Sequence, residues 1–145
     1  MHTYNCSIRL HDAATLWARF RGWKTWEDSK ELHAVWLRPC RAVHTWGLAR
    51  TLDICFLDQQ DRPLRLLRGV QPGKIRTCRN ARSVLEAPPG CLPDLDRFAP
   101  WRQALQRMRQ GAACVWIDCE PGWPPFSTLG SQTWVRGVES PNTLR

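Results

Sequence analysis

Alternation of apolar and polar residues predicts β-strands within residues 1–92. The pattern is clearest in the segment 51–58, where Leu52 and Phe56 fall on one face of an extended chain and Asp53 falls on the other. Four further segments have the apolar content of strands, and these are residues 3–10, 31–37, 62–70 and 81–87. The polar residues 58–61 separate two of the strands and predict a hairpin.

Apolar residues recur at helical spacing in two places. In residues 13–23, Asp12 is placed as an N-cap and Gly22 as a C-terminal stop, which predicts a short helix near the N-terminus. In residues 96–110, apolar side chains recur every three or four positions, and Pro100 suits the first turn of a helix. Two helices are therefore expected in addition to the strands.

These patterns predict an α+β fold. We expect a compact β-rich domain of antiparallel strands, partly barrel-like, with a short N-terminal helix, a C-terminal helix and an irregular tail. The β-rich domain is predicted over residues 1–92, the second helix over residues 93–110, and an irregular extension over residues 111–145, where prolines and glycines break any regular element.

Length and composition exclude several classes of protein. A chain of 145 residues suits one domain, and its 43% hydrophobic and 23% charged residues are typical of folded globular proteins. No apolar run approaches the ~18 residues of a membrane-spanning helix. The first residues have neither the basic nor the apolar region of a secretory signal. We therefore expect a cytoplasmic protein with no membrane span.

The net charge of +8 comes almost entirely from arginine, since the lysines are only Lys24, Lys30 and Lys74. Such an excess suits nucleic acid or another anionic partner. The arginines are spread along the chain without a dense run. We therefore favour the simpler interpretation, in which the arginine content follows the coding bias of a GC-rich genome.

Seven cysteines are present, and an odd number cannot pair completely. Because there is no secretory signal and no CxxC pair, the sequence predicts reduced thiols rather than a disulfide framework. The short spacings of zinc ribbons and thioredoxin-like sites are missing as well.

Residues 39–48 hold the densest cluster of chemically useful side chains. In an extended chain Cys40 and His44 share a face, where a thiol and an imidazole can bind zinc or form a nucleophile–base pair. A zinc site would need further ligands, for which Cys78 and Cys55 are candidates. A cysteine that packs as an apolar side chain beside a hydrogen-bonded histidine is the commoner arrangement, and we favour it.

Two carboxylates lie inside or at the end of predicted strands. Asp53 is surrounded by apolar residues and therefore needs a partner, for which the nearby Arg50 is the obvious choice. Glu86 lies at the end of the strand 81–87. Each is a candidate functional acid or base, or else accepts hydrogen bonds that fix a turn. Nothing in the sequence shows that they face each other as a catalytic pair.

Residues 17–26 interleave aromatic and basic side chains, a mixture that can stack on bases and contact phosphates. An amphipathic helix with buried aromatic rings and solvated arginines explains the same residues, and we prefer it. The sequence contains no GxGxxG, Walker A, HExxH or GxSxG motif, so nucleotide cofactors and the common hydrolase classes lack support.

Three segments in this order resemble the domain-of-unknown-function family 192. They are Pro-Cys-Arg-Ala-Val-His-Thr-Trp-Gly-Leu at residues 39–48, Leu-Asp-Ile-Cys-Phe-Leu-Asp at residues 52–58 and Ser-Val-Leu-Glu-Ala-Pro-Pro-Gly at residues 83–90. The resemblance covers residues 15–90. It implies a small bacterial or archaeal protein with a mostly β domain and a short helix near its start, and it implies no catalytic residue or cofactor.

The function predicted from the sequence is that of a small non-enzymatic binding or accessory module. Its ligand surface is expected to include Cys40, His44, Thr45, Asp53 and Glu86. One alternative is a metal-dependent or Cys–His enzyme that uses Cys40 and His44, with Cys78 as a further metal ligand. A second alternative is an arginine-rich nucleic-acid binder.

Overall fold

The strands assemble into one mixed sheet and one small ribbon. We describe a computed structural model over residues 7–14, 22–26 and 31–118. Its strands are β1 (Ser7–Ala13), β2 (His33–Leu37), β3 (Ala42–His44), β4 (Leu52–Leu57), β5 (Pro63–Val70), β6 (Ile75–Thr77), β7 (Ser83–Ala87) and β8 (Cys114–Asp118). The α-helix α1 spans Ala99–Arg109, and two 3-10 turns span Gly22–Trp26 and Leu95–Arg97.

The larger sheet has six strands in the order β5-β4-β7-β2-β1-β8. Strands β1 and β2 pair in parallel, and the other neighbours pair antiparallel. Strands β3 and β6 form a separate antiparallel ribbon, in which His44 lies opposite Ile75. The α+β, β-rich character predicted from the sequence is thus confirmed.

The hairpin predicted around residues 58–61 joins β4 and β5. Its turn is fixed by Asp58, whose Oδ1 accepts hydrogen bonds from the backbone N–H groups of Gln60 (2.8 Å) and Arg62 (2.9 Å). Asp61 takes a positive φ of 61° in this turn, a conformation that aspartate tolerates better than most residues. Local turn chemistry therefore explains why the sequence pattern located this hairpin.

The sequence predicted antiparallel strands in a partly barrel-like arrangement, whereas the described strands form a mixed sheet and no closed barrel. Within the described residues the sheet is open, with β5 and β8 at its two edges. Parallel pairing of β1 and β2 is compatible with the length of their connection, residues 14–32, since parallel neighbours need a crossover of about a dozen residues or more.

Two further predictions need correction. Asp12 belongs to β1, where its carboxylate accepts a bidentate pair of hydrogen bonds from Arg38 (3.0 and 2.7 Å), and it is therefore no helix N-cap. The remainder of the predicted N-terminal helix, residues 15–21, lies outside the described residues.

The extension after residue 111 is not irregular throughout, because β8 pairs with β1. Residues 119–145 also lie outside the described part of the chain.

The predicted C-terminal helix is confirmed as α1, with Pro100 in its first turn. Its buried side chains Trp101, Leu105 and Met108 pack on one face of the large sheet. In the described residues, no helix has the length and apolar character needed to cross a membrane.

The second face of the sheet carries a separate apolar cluster that includes Trp23, Val35, Leu37, Ile54 and Phe56. Side chains alternate between the faces of a strand, so a residue opposite Val35 and Ile54 also belongs to this face. That residue is Glu86, which the register of β7 places opposite both of them. A carboxylate is thereby set into an apolar surface.

A candidate ligand cavity on the second face of the sheet

A cavity of about 990 Å³ opens on the second face of the sheet. Its walls come from the 3-10 turn Gly22–Trp26, the end of β2, the segment 39–48 and the residues around the start of β7. This volume is at the upper end of the range in which proteins bind small organic molecules.

Three of the five predicted site residues line this cavity, namely Cys40, His44 and Glu86. Thr45 and Asp53 are not among its lining residues. The pattern in residues 39–48 pointed to the wall of the cavity, whereas Glu86 reaches it from a strand forty residues further along the chain.

Glu86 is the buried acid of the cavity, with an exposed fraction of 4%. Its Oε2 accepts a hydrogen bond of 2.8 Å from the backbone N–H of Trp23. Within the described residues it makes no ion pair and no second hydrogen bond. Burial raises the pKa of Glu86 to about 7, and the Trp23 N–H only partly offsets this by favouring the charged form. Near neutral pH the group can therefore accept or release a proton.

The 3-10 turn is fixed to the sheet at two points. Besides the bond from Trp23 N to Glu86, the indole Nε1 of Trp23 donates to the carbonyl of His33 (2.8 Å). Gly22 allows this approach, because a Cβ at its position would lie 2.7 Å from Oε2 of Glu86, and its φ is +51°. From the sequence Gly22 was interpreted as the end of a helix, so its role beside the carboxylate was missed.

An aromatic pair forms another part of the wall. The rings of His44 and Trp46 stack with centroids 4.8 Å apart and an interplanar angle of 28°. Trp46 is 55% exposed, although tryptophan has a large apolar surface, so part of its indole is available to a ligand.

Thr45, the residue between these two rings in the chain, is bound to the segment 71–74. It is buried, its hydroxyl donates to the carbonyl of Gln71 (2.7 Å), and it accepts from the N–H of Lys74 (2.9 Å). Its backbone N–H also donates to the carbonyl of Lys74 (2.9 Å). These bonds fix the backbone and the side chain of Thr45 to the segment 71–74, outside the lining of the cavity.

Cys40 lies in the wall, partly buried, and its thiol donates to the carbonyl of Ala42 (3.1 Å). Cys78 packs on the same apolar cluster, whereas Cys55 lies in the core beneath α1, where burial raises the pKa of its thiol to about 12. Within residues 7–14, 22–26 and 31–118, no three His, Cys, Asp or Glu side chains are arranged to hold a metal ion.

Three exposed cations, Lys24, Arg41 and Arg82, line the cavity. In the described part of the chain none of them is joined to a carboxylate, unlike Arg38 and Arg109, which pair with aspartates. Among the described residues Glu86 is the one acid in the wall, so this part of the lining carries more positive than negative charge. Sequence reasoning missed these cations because nothing distinguished them from the other basic residues.

Asp53 has a structural role on the other face of the sheet. It is 1% exposed and accepts hydrogen bonds from Arg68 (3.0 Å) and from the backbone N–H groups of Gly69 and Gly90 (2.8 Å each). The expected partner was Arg50, and that prediction was wrong. Asp53 instead ties β5 and the turn after β7 to β4.

No protein-family model matches the sequence, and no curated protein matches it. Solved structures similar to the chain include a protein of unknown function from Novosphingobium aromaticivorans DSM 12444, with 15% identity, coverage of 75% of this chain and 72% of that one, and a TM-score of 0.47. Another is a candidate transcription regulator from Sinorhizobium meliloti 1021, with 11% identity, coverage of 81% and 98%, and a TM-score of 0.48. Likenesses at this level carry no argument about function.

Proposed function

We propose that the protein is a small binding module that holds an organic ligand in the cavity beside Glu86. The observation that supports this most directly is the carboxylate itself, which is 4% exposed, accepts one hydrogen bond from the described residues and lies in the wall of a cavity of about 990 Å³. Buried ionisable groups cost stability unless they are paired. An acid kept in such a place is typical of a functional site.

The other side chains of the wall suit binding better than they suit catalysis. Trp46 offers an exposed ring, and Lys24, Arg41 and Arg82 offer positive charge that no carboxylate of the described residues neutralises. A ligand that fills the cavity would contact apolar, aromatic and charged groups together, which is the usual character of a small-molecule site.

Binding can be tested with a cavity-blocking variant and a matched control. Ala42→Trp places a large ring in the wall, whereas Gln103→Trp adds the same ring to the exposed side of α1, on the other face of the sheet. A panel of nucleosides, nucleotides, amino acids and aromatic acids would be screened by thermal shift, and the hits measured by calorimetry.

We expect at least one compound to bind the wild type and the Gln103→Trp variant, and to lose most of its affinity for Ala42→Trp. If a compound binds the wild type and both variants equally, its binding site lies outside this cavity. If no compound binds, and native mass spectrometry of the purified protein finds no copurified small molecule, the proposal is wrong.

A Cys–His enzyme is the second candidate, because Cys40 and His44 line the same cavity. It requires a reactive thiolate at Cys40. Alkylation by iodoacetamide at neutral pH would then be about tenfold or more faster than that of an ordinary free thiol, and it would slow in His44→Ala. A binding module predicts an ordinary rate in both proteins.

A further inference from the structure

The chemistry of the cavity wall restricts the ligand that the proposed function requires. Its one acid among the described residues, Glu86, is set into the sheet, whereas Lys24, Arg41 and Arg82 are exposed to solvent. A ligand matched to this layout has hydrogen-bond donors at its buried end and negative charge at its outer end. A simple amine satisfies the acid but is repelled by the three cations, since opposite charges attract and like charges do not.

The cations belong to neighbouring parts of the chain. The N–H of Cys40 donates to the carbonyl of Arg82 (3.0 Å), and the N–H of Cys78 donates to the carbonyl of Arg41 (2.9 Å). These bonds bring the backbones before β3 and before β7 side by side. Two guanidinium groups on adjoining segments are well suited to a phosphate, which arginine binds through paired N–H donors.

Glu86 determines which chemical group the ligand can place at its buried end. An ionised carboxylate has acceptors only. Oε2 of Glu86 already accepts from Trp23, and Oε1 has no hydrogen-bond partner in the described part of the chain. The complementary group is a planar edge with two adjacent N–H donors. The Watson–Crick edge of guanine has this pattern in its N1–H and N2–H groups, whereas adenine presents an acceptor at N1 beside its N6 donors.

The aromatic pair suits a planar ring. Stacking of a base on an aromatic side chain adds affinity and does not distinguish among bases. The 55% exposed Trp46, supported from behind by His44, offers such a surface in the same cavity as Glu86. Stacking would therefore add affinity, and the hydrogen bonds to Glu86 would determine which base binds.

We infer that the cavity binds a guanine nucleotide, with the base edge at Glu86, the ring against the His44–Trp46 pair and the phosphate at Lys24, Arg41 and Arg82. This inference rests on the proposed function, because it names the ligand of the same cavity.

The test is calorimetry with guanosine 5′-monophosphate, adenosine 5′-monophosphate and guanosine, at about pH 8, where Glu86 is ionised. We expect the guanine nucleotide to bind at least about tenfold more tightly than the adenine nucleotide, because a lost charged hydrogen bond is typically worth that factor or more. Guanosine, which lacks the phosphate, should bind more weakly, and the nucleotide affinity should fall as salt is added.

Variants separate the two ends of the site. Glu86→Gln places an amide donor against the donor edge of guanine and should reduce affinity about tenfold or more. Arg82→Ala should weaken the nucleotide but leave guanosine almost unchanged. Arg79→Ala is the matched control, because Arg79 is exposed and does not line the cavity.

Each outcome decides between the two proposals. Equal affinity for the guanine and adenine nucleotides, or no loss in Glu86→Gln, overturns the guanine inference. If no nucleotide binds but another compound does and is blocked by Ala42→Trp, the inference fails and the binding module stands. If guanosine 5′-monophosphate binds Ala42→Trp as well as it binds the wild type, its site is elsewhere, and the inference again fails.

Discussion

Glu86→Gln should make the protein more stable above neutral pH while removing the acid of the proposed site. Glutamine keeps an oxygen that can accept the Trp23 N–H, and it has nearly the shape of the protonated acid. It cannot carry charge. The substitution therefore isolates what ionisation of a buried carboxylate costs the folded state.

The sign and the size follow from proton binding. Burial raises the pKa of Glu86 from 4.5 to about 7, so between these values the folded protein holds a proton that the unfolded chain has lost. Stability falls as pH rises wherever the folded state binds more protons than the unfolded state. The contribution of Glu86 to the free energy of unfolding of the wild type therefore decreases from about pH 4.5 to about pH 7 and stays constant at higher pH. At about 1.4 kcal/mol for each pH unit, the loss is ~3 kcal/mol as an order of magnitude.

The measurement is the free energy of unfolding in urea, for both proteins, between about pH 4 and about pH 8. We compare the two proteins by the difference between their free energies of unfolding at each pH, because other groups also titrate in this range. Burial lowers the pKa of His11 to about 4 and also lowers the pKa of His33, and these shifts stabilise the fold as pH rises. Both contributions cancel in the difference if the sites are independent. Asp96→Asn, at an exposed carboxylate, is the control.

We expect the two free energies of unfolding to converge near pH 4 and to separate by ~3 kcal/mol near pH 8, with Glu86→Gln the more stable protein. Asp96→Asn should show no such divergence. Parallel curves for wild type and Glu86→Gln would refute the reasoning, because Glu86 would then titrate as an ordinary glutamate. A Glu86→Gln protein less stable than the wild type at pH 8 would show that the charge supports the fold.

Three substitutions test the supporting structure by urea unfolding. Asp53→Ala should cost ~1–3 kcal/mol, since it leaves Arg68 and the backbone N–H groups of Gly69 and Gly90 without their acceptor; an unchanged stability would contradict this role. Thr45→Val keeps the shape but removes two hydrogen bonds and should cost ~1–3 kcal/mol; an unchanged stability would show that the hydroxyl is dispensable. Gly22→Ala should cost ~1–3 kcal/mol, because of its positive φ and the clash with Glu86; a stabilising effect would contradict the described turn.

Sequence reasoning located the elements whose signals are local. In β4, successive side chains of residues 52–56 point to opposite faces of the sheet, and each face carries an apolar cluster. The spacing of apolar residues in α1 matches a helix that covers one of those faces. Such patterns depend on neighbours within a few residues, and they are therefore visible in a single sequence.

The arrangement of those elements was not visible in the same way. Parallel pairing of β1 with β2 and the place of β8 at the sheet edge are set by contacts between distant segments. Cys114–Asp118 is short, and its first four residues are all apolar, so the sequence shows no alternation even though Val115 and Ile117 are buried and Trp116 and Asp118 are exposed. Short isolated strands are stabilised mainly by their partners.

The candidate site was partly predictable for the same reason. Cys40 and His44 stood out because they lie close together in the sequence, and both line the cavity. Glu86 was singled out as a carboxylate in a strand, but its position beside Gly22 and Trp23 depends on a contact across more than sixty residues. For Asp53 the same reasoning chose a sequence neighbour, Arg50, although the partner comes from the next strand.

The most direct test of the account is a ¹³C NMR titration of the Glu86 side-chain carboxyl, assigned by its absence in Glu86→Gln, without and with guanosine 5′-monophosphate. The account predicts a pKa near 7 for the free protein and a lower pKa once two N–H donors of the base face the carboxylate. An ordinary glutamate pKa in the free protein would contradict the buried acid on which the binding module depends. A pKa near 7 that saturating nucleotide leaves unchanged would contradict the guanine site alone.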